Sequence, residues 1–261
     1  MKKAIASILF AFLCISVAMA QDSEEFIAKQ YVTKKGDTLL YRMLYPADYG
    51  SQKKYPLVIF LHGAGERGND NKKQLTHGSD LFLKEDVLSN YPAIVVFPQC
   101  PESDFWSSVK ITREEAGASF DFDYPDDPTK SLELVMDLTT YLTKMEAVDE
   151  KRIYVMGLSM GGMGTFELLA RQPKKFAAAV PICGGGNPED CEKYAERVPL
   201  WVFHGARDNI VRPEYSREMV DELKRLEADV TYTEYPEAGH ESWENAFAEP
   251  DLLKWLFSKE K

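Results

Sequence analysis

The segment Gly157-Leu158-Ser159-Met160-Gly161 constrains this chain more than any other. It follows the strand-like run Arg152 to Met156 and precedes a segment of helical character, Gly162 to Arg171. Small residues around a serine at such a junction describe a turn too tight for side chains, because flanking Cβ atoms would collide with the neighbouring strand and helix. A turn of this kind lifts the serine hydroxyl above the carboxyl end of a sheet. It also leaves the next backbone N–H groups facing whatever the hydroxyl meets. Five residues alone are a weak pattern. The strand before and the helix after make it specific, and it requires partners elsewhere in the chain.

The rest of the chain alternates in the way such a turn needs. Tyr55 to Leu61, Ala93 to Phe97, Ile153 to Met156, Ala177 to Ile182, Leu200 to Phe203 and Val230 to Tyr235 read as strands. Several are nearly continuous in Val, Ile, Leu and Phe, as strands covered on both faces must be. Leu134, Val135, Leu138, Tyr141, Leu142 and Met145 recur at helical spacing, as do Met219, Leu223 and Leu226 after Pro213, and Leu252, Leu253 and Leu256 near the end. The pattern predicts an α/β fold, a mostly parallel sheet with helices on both faces. Gln30 to Tyr45 reads as an opening antiparallel hairpin or edge strand, turning near Lys35-Gly36-Asp37. Residues 101–130 break the alternation. Their aromatics (Phe105, Trp106, Phe120, Phe122, Tyr124) argue against disorder, so an irregular loop insertion bordering a site is expected there.

Residues 1–20 read as a signal peptide: Lys2 and Lys3, an apolar run from Ala4 to Met19, and an Ala18-Met19-Ala20 cleavage site. Cleavage after Ala20 would leave a single domain, 21–261, exported to a periplasm or to the outside. The run is short for a membrane span, and no later segment is long and apolar enough for one. Cys14 raises a lipoprotein reading, which the bulky Phe12-Leu13 before it disfavour. The net charge is −11, or −13 without the two leader lysines, so nucleic acid and anionic lipid are not expected partners. Of the remaining cysteines, Cys100, Cys183 and Cys191, the last two could close a short disulfide loop; buried, unpaired thiols are the simpler reading.

A serine hydroxyl needs a base to remove its proton and a third group to hold that base. Strand–turn–helix serines of this type occur in α/β-hydrolases, where the chain order is Ser, then Asp or Glu, then His. Of the four histidines, only His204 and His240 follow Ser159. His240 lies in a late loop after the strand Val230 to Tyr235 and is the expected base, whereas His204 is expected to pack and hydrogen-bond locally. Asp208, in His204-Gly205-Ala206-Arg207-Asp208 just beyond a strand, is the expected acid. Asp221 and Glu222 lie on a helix and compete less well, as does Asp190. An oxyanion needs preorganised donors. Met160 N–H should be one, and the loop His62-Gly63-Ala64-Gly65-Glu66-Arg67-Gly68 should supply the other, through Ala64 or its rival Gly65. His62 is expected to brace that loop, and Glu66 and Arg67 either pair to shape it or stand solvated. Asp121, Asp123, Asp126 and Asp127 miss the calcium-loop pattern, and no phosphate-binding glycine motif with lysine occurs. No metal or cofactor is expected.

Taken in order, these four motifs resemble the secreted esterases of the α/β-hydrolase superfamily often labelled "predicted peptidase", related to phospholipase/carboxylesterases and feruloyl-esterase-like enzymes. The resemblance covers nearly all of residues 21–261 and is specific for fold and mechanism. It implies a serine esterase acting through an acyl-enzyme, with small-molecule or oligosaccharide esters, acetyl or feruloyl, as substrates. Pro98-Gln99-Cys100-Pro101 followed by Trp106 looks like a segment of that group, with the tryptophan near the acyl site. Trp106 then either stacks on substrate or caps the core. Trp243 is expected to anchor the His240 loop. The rival readings are a serine peptidase of prolyl-oligopeptidase type and a non-catalytic carbohydrate-binding relic.

Overall fold

In strand β3 (Tyr55–Leu61) every residue is buried, so alternation decides only which layer each side chain joins. Leu57, Ile59 and Leu61 enter one core cluster, and Val58 and Phe60 enter the other. The strands β4 (Ile94–Pro98) and β7 (Val148–Leu158) divide likewise: Ile94, Val96, Ile153 and Val155 on one face, Val95, Phe97, Tyr154 and Met156 on the opposite face. A sheet covered on both faces has no polar side, which is why its strands read as unbroken apolar runs.

This computed structural model describes residues 25–50, 52–114 and 117–261; the expected leader, 1–20, lies outside them. Eight strands form one sheet in the order β1 (Ile27–Val32), β2 (Thr38–Leu44), β4, β3, β7, β8 (Ala178–Ile182), β9 (Leu200–Gly205), β10 (Val230–Tyr235). The hairpin of β1 and β2 is antiparallel and joins β4 antiparallel. From β4 onward all neighbours run parallel, through β8, β9 and β10. One face carries the helices α3 (Lys130–Leu142), α4 (Met160–Arg171) and α5 (Glu214–Arg225). The other carries α1 (Ser79–Leu83), α2 (Glu85–Asn90), α6 (Trp243–Phe247) and α7 (Leu252–Phe257). This is the α/β-hydrolase architecture that the sequence predicts. Among the described residues, no helix is long and apolar enough to cross a membrane.

The chain leaves β3 for β4 on one side and returns to β7 on the other. The strand order therefore switches at β3, and a crevice opens at the carboxyl ends there. Both glycine-rich motifs lie at that crevice, one after β3 and one after β7.

One expectation of the fold needs correction, and the disulfide alternative for the cysteines is not realised. Residues 101–130 are not wholly irregular: β5 (Lys110–Glu114) and β6 (Gly117–Asp121) form a separate antiparallel hairpin. Lys110-Ile111-Thr112-Arg113-Glu114 carries one apolar residue, and Ile111 is 41% exposed, so no strand period shows in the sequence. Cys183 and Cys191 are not bridged; both, and Cys100, are buried free thiols.

Candidate active site

Ser159 sits between β7 and α4 with φ +52° and ψ −115°, a conformation that a side chain adopts only under strain of about 1–3 kcal/mol. Two backbone bonds hold it there: Ser159 N–H donates to Ile182 O at 2.9 Å, and Met163 N–H donates to Ser159 O at 3.0 Å. Gly161 explains the motif's second glycine. A Cβ on it would lie 1.9 Å from Leu61 O, so only glycine lets the elbow close against the end of β3.

The acid and base loops also meet backbone to backbone. A Cβ on Gly205 would lie 2.1 Å from Gly239 O, and Arg207 N–H donates to Ala238 O at 2.9 Å. This contact brings His240 to Asp208. His240 Nδ1 lies 2.7 Å from Asp208 Oδ2, and His240 Nε2 lies 2.9 Å from Ser159 Oγ. A carboxylate only accepts, so the ring proton belongs on Nδ1, leaving the Nε2 lone pair for the serine O–H. Asp208 Oδ1 accepts from Ile210 N–H at 2.9 Å and Val211 N–H at 3.0 Å. Burial would raise the Asp208 pKa. The hydrogen bonds from His204 and His240, the His240 charge and the Ile210 N–H outweigh it and hold the carboxyl well below its usual range. The structure thus brings Ser159, Asp208 and His240 together in one relay. Asp221, Glu222 and Asp190 take no part in it.

Above the serine stands a 3-10 turn, Ala64–Glu66, with Gly63 as its N-cap. A Cβ on Gly63 would be 3.8 Å from Ser159 Cβ and 2.9 Å from Leu158 Cδ1, so the turn's amino end lies over the nucleophile. The first N–H groups of a helical turn have no partner within it. Ala64 N–H opens this turn and Met160 N–H opens α4, on either side of Ser159.

His62 braces the loop. Its Nδ1–H donates to Gly63 O at 2.6 Å, and its Nε2 accepts from Cys100 N–H at 3.0 Å. Burial pushes its pKa down to about 4, so the ring is neutral in this role. Gln99, which nothing in the sequence singled out for the task, ties the same loop to its flank: its amide donates to Glu66 O and Asp70 Oδ1 and accepts from Asn71 N–H. Glu66 and Arg67 do not pair. Arg67 instead donates to Ala64 O, Glu102 O and Asp104 O, while Glu66 lies 3.8 Å from His77.

Trp106 corrects the expectation of a substrate platform. It is fully buried, its indole N–H donates to His62 O at 3.1 Å, and its ring meets His62 edge-on. A Cβ on Gly164 would lie 2.6 Å from Trp106 Cβ, so the tryptophan is seated on α4 beneath the loop, away from solvent. The insertion offers other aromatics. Phe120 and Phe122, with Tyr215 of α5, line a groove of about 460 Å³ together with Asp121, Asp123, Glu189 and Glu218. Trp243 anchors His240, ring to ring at 5.4 Å.

Glu167, fully buried on α4, clamps the insertion. It accepts from Ser107 Oγ, Ser108 N–H and Ser108 Oγ, and from Arg171, which in turn holds Pro125 O and Asp126 O. Cys183 is a further neighbour that the sequence did not place here. Its sulfur, an Asp208 oxygen and a His240 nitrogen lie within 4.8 Å of one another. Burial pushes that thiol far above its usual range, and the Asp208 and His240 atoms are already hydrogen-bonded, so the trio is a poor metal site.

Comparison with known proteins gives the family and the fold. The phospholipase/carboxylesterase family model matches residues 48–251, and the chain belongs to that family. It is 34% identical over 156 residues to a bifunctional acetylxylan esterase/xylanase of Neocallimastix patriciarum, covering 60% of this chain and 20% of that one. It is 26% identical over 213 residues to lysophospholipase-like protein 1 of Mus musculus, covering 77% of this chain and 86% of that one. Among solved structures, a thermostable esterase aligns with a TM-score of 0.82 at 35% identity, over 92% of this chain and 64% of that one. A ferulic acid esterase from Anaeromyces mucronatus, solved with ferulic acid, shares the fold: TM-score 0.64 at 17% identity, over 87% and 90% of the two chains. The chain thus spans a fifth of the bifunctional acetylxylan esterase/xylanase's length and under two thirds of the thermostable esterase's.

Proposed function

We propose that this phospholipase/carboxylesterase-family chain is an exported serine esterase that cleaves carboxylic esters through an acyl-enzyme. The observation that carries the reading is the continuous relay from Ser159 Oγ through His240 to Asp208, at 2.9 and 2.7 Å. His240 Nε2 takes the serine proton as Oγ attacks the ester carbonyl. The Met160 and Ala64 N–H groups receive the oxyanion, and protonated His240 hands its proton to the leaving alcohol. Water, deprotonated by the same ring, then hydrolyses the acyl-enzyme. Asp208 only accepts throughout; it keeps the ring in the required tautomer.

The acyl group we propose is acetyl or feruloyl, on a polysaccharide or oligosaccharide. Support comes from the acetylxylan esterase and the ferulic acid esterase among the similar proteins. Export rests on residues 1–20, and the −13 charge of residues 21–261 disfavours nucleic acid as a partner. Rates on p-nitrophenyl acetate, methyl ferulate, acetylated and feruloylated oligosaccharides and a peptide anilide test the reading. Ester turnover with an inert anilide is expected. Efficient anilide cleavage with inert esters would establish the peptidase instead.

A further inference from the structure

We infer that His204 is a positioning residue for the Asp208 carboxylate, so that two histidines share one carboxylate oxygen. The inference rests on the proposed relay of Ser159, His240 and Asp208. His204 Nε2 lies 3.2 Å from Asp208 Oδ2, the oxygen that His240 Nδ1 engages at 2.7 Å, and both the His204 and Asp208 side chains are shut off from solvent.

Counting protons settles the direction of this contact. His204 Nε2 also lies 2.8 Å from Val211 O, which can only accept, so Nε2 carries a hydrogen. That hydrogen points to Val211 O, and Asp208 Oδ2 stands 3.2 Å from the same nitrogen as a longer, less aligned contact. At the ring's other end, Nδ1 lies 2.7 Å from Ser216 Oγ, itself 3.0 Å from Gly184 O. The serine's single proton serves either Gly184 O or Nδ1. In the first case the ring is a cation, in the second it is neutral, and in both Nε2–H faces the carboxylate.

The contact has a chemical consequence. A donor facing Oδ2 shares the carboxylate charge that His240 meets, so removing it leaves more of that charge on His240. It also locks the Asp208 side chain from behind. Other charged and titratable groups around the pair are Cys183 at the end of β8, Glu241 beside His240, and the Arg207–Glu237 ion pair between the two loops. Beyond Trp243 lie His77, Glu66 and Glu244. Glu234, paired with Arg217, stands opposite His204 in the sheet register. None of these donates a hydrogen bond to Oδ2 among the described residues.

The test is the pH dependence of kcat/KM on a p-nitrophenyl ester for the full chain and for His204→Phe and His204→Gln. The phenyl ring fills the space without a donor, and the glutamine amide restores one near the Nε2 position. His204→Phe should move the acid limb upward by about half to one pH unit, a three- to ten-fold change in His240 basicity. His204→Gln should return it towards the wild-type position. A limb unmoved in folded His204→Phe would overturn the inference, whatever its stability. If His204→Phe does not fold, the wild-type imidazole NMR spectrum decides. The His204 Nε2–H signal should shift with the titration of His240, and a stationary signal would overturn the inference. Ser159→Ala and His240→Ala serve as controls: activity surviving in either would sink the relay itself, whereas their inactivity with an unmoved limb would sink only the role of His204.

Discussion

His62 gives the oxyanion loop a pH limit that can be read without any substrate. Its ring accepts Cys100 N–H at Nε2, donates to Gly63 O from Nδ1, and is 1% exposed. Protonation at Nε2 destroys the first bond and buries a charge with no anion beside it. Burial is the main reason that its pKa falls from 6.5 to about 4. The unfolded ring takes up its proton near 6.5, so between 6.5 and 4 the unfolded chain binds more protons than the folded one. Stability therefore rises with pH across this window. The penalty is absent above about 6.5 and complete below about 4. At ~1.4 kcal/mol per pH unit the window amounts to roughly 3 kcal/mol. Urea unfolding at pH 4, 5, 6 and 7 on wild type and His62→Gln isolates the term, because other ionisations cancel in the difference. The variant should be less stable at pH 7, having lost a buried hydrogen bond. The gap should close by about 3 kcal/mol on going to pH 4. Parallel curves for the two proteins would refute the neutral, buried role of His62.

Other perturbations follow from the same contacts. Glu167→Ala leaves the Ser107 and Ser108 donors and Arg171 without their shared acceptor, a loss of about 3–5 kcal/mol. Calorimetry should show Tm falling by roughly 10 °C, and a drop within error would mean that the insertion is held elsewhere. Gly161→Ala puts a Cβ 1.9 Å from Leu61 O and must part the elbow from β3; kcat should fall on the order of 100-fold or more, and an unchanged kcat would contradict the packing. Asp208→Asn keeps the shape but favours the wrong ring tautomer, so kcat should drop on the order of 10³–10⁴-fold with KM little altered.

Most strands and the three relay positions were legible in the sequence: Ser159 and Asp208 follow the doubly covered strands β7 and β9, and His240 follows the half-buried edge strand β10, whose residues are mostly β-branched or aromatic. Doubly covered strands announce themselves as apolar runs, and the loop after each is then short enough to search. What escaped depended on partners distant in the chain. Trp106 reads equally as a substrate platform or a core cap until Gly164, on another element, makes room for it. Glu167 reads as an ordinary helix carboxylate, since its partners Ser107 and Ser108 lie about 60 residues earlier. The hairpin of β5 and β6 lacks the alternation that a half-buried pair shows, and α1 and α2 are too short to display a period. His204 reads from the sequence as a local hydrogen-bonding residue, but its reach to Asp208 comes from a turn that spacing alone does not describe.

Ser159 as the nucleophile is the central claim, and covalent labelling reaches it most directly. A fluorophosphonate probe, followed by peptide mapping with mass spectrometry, should place a single adduct on Ser159, and Ser159→Ala should remain unlabelled. An adduct on another residue, or labelling that persists in Ser159→Ala, would contradict the claim.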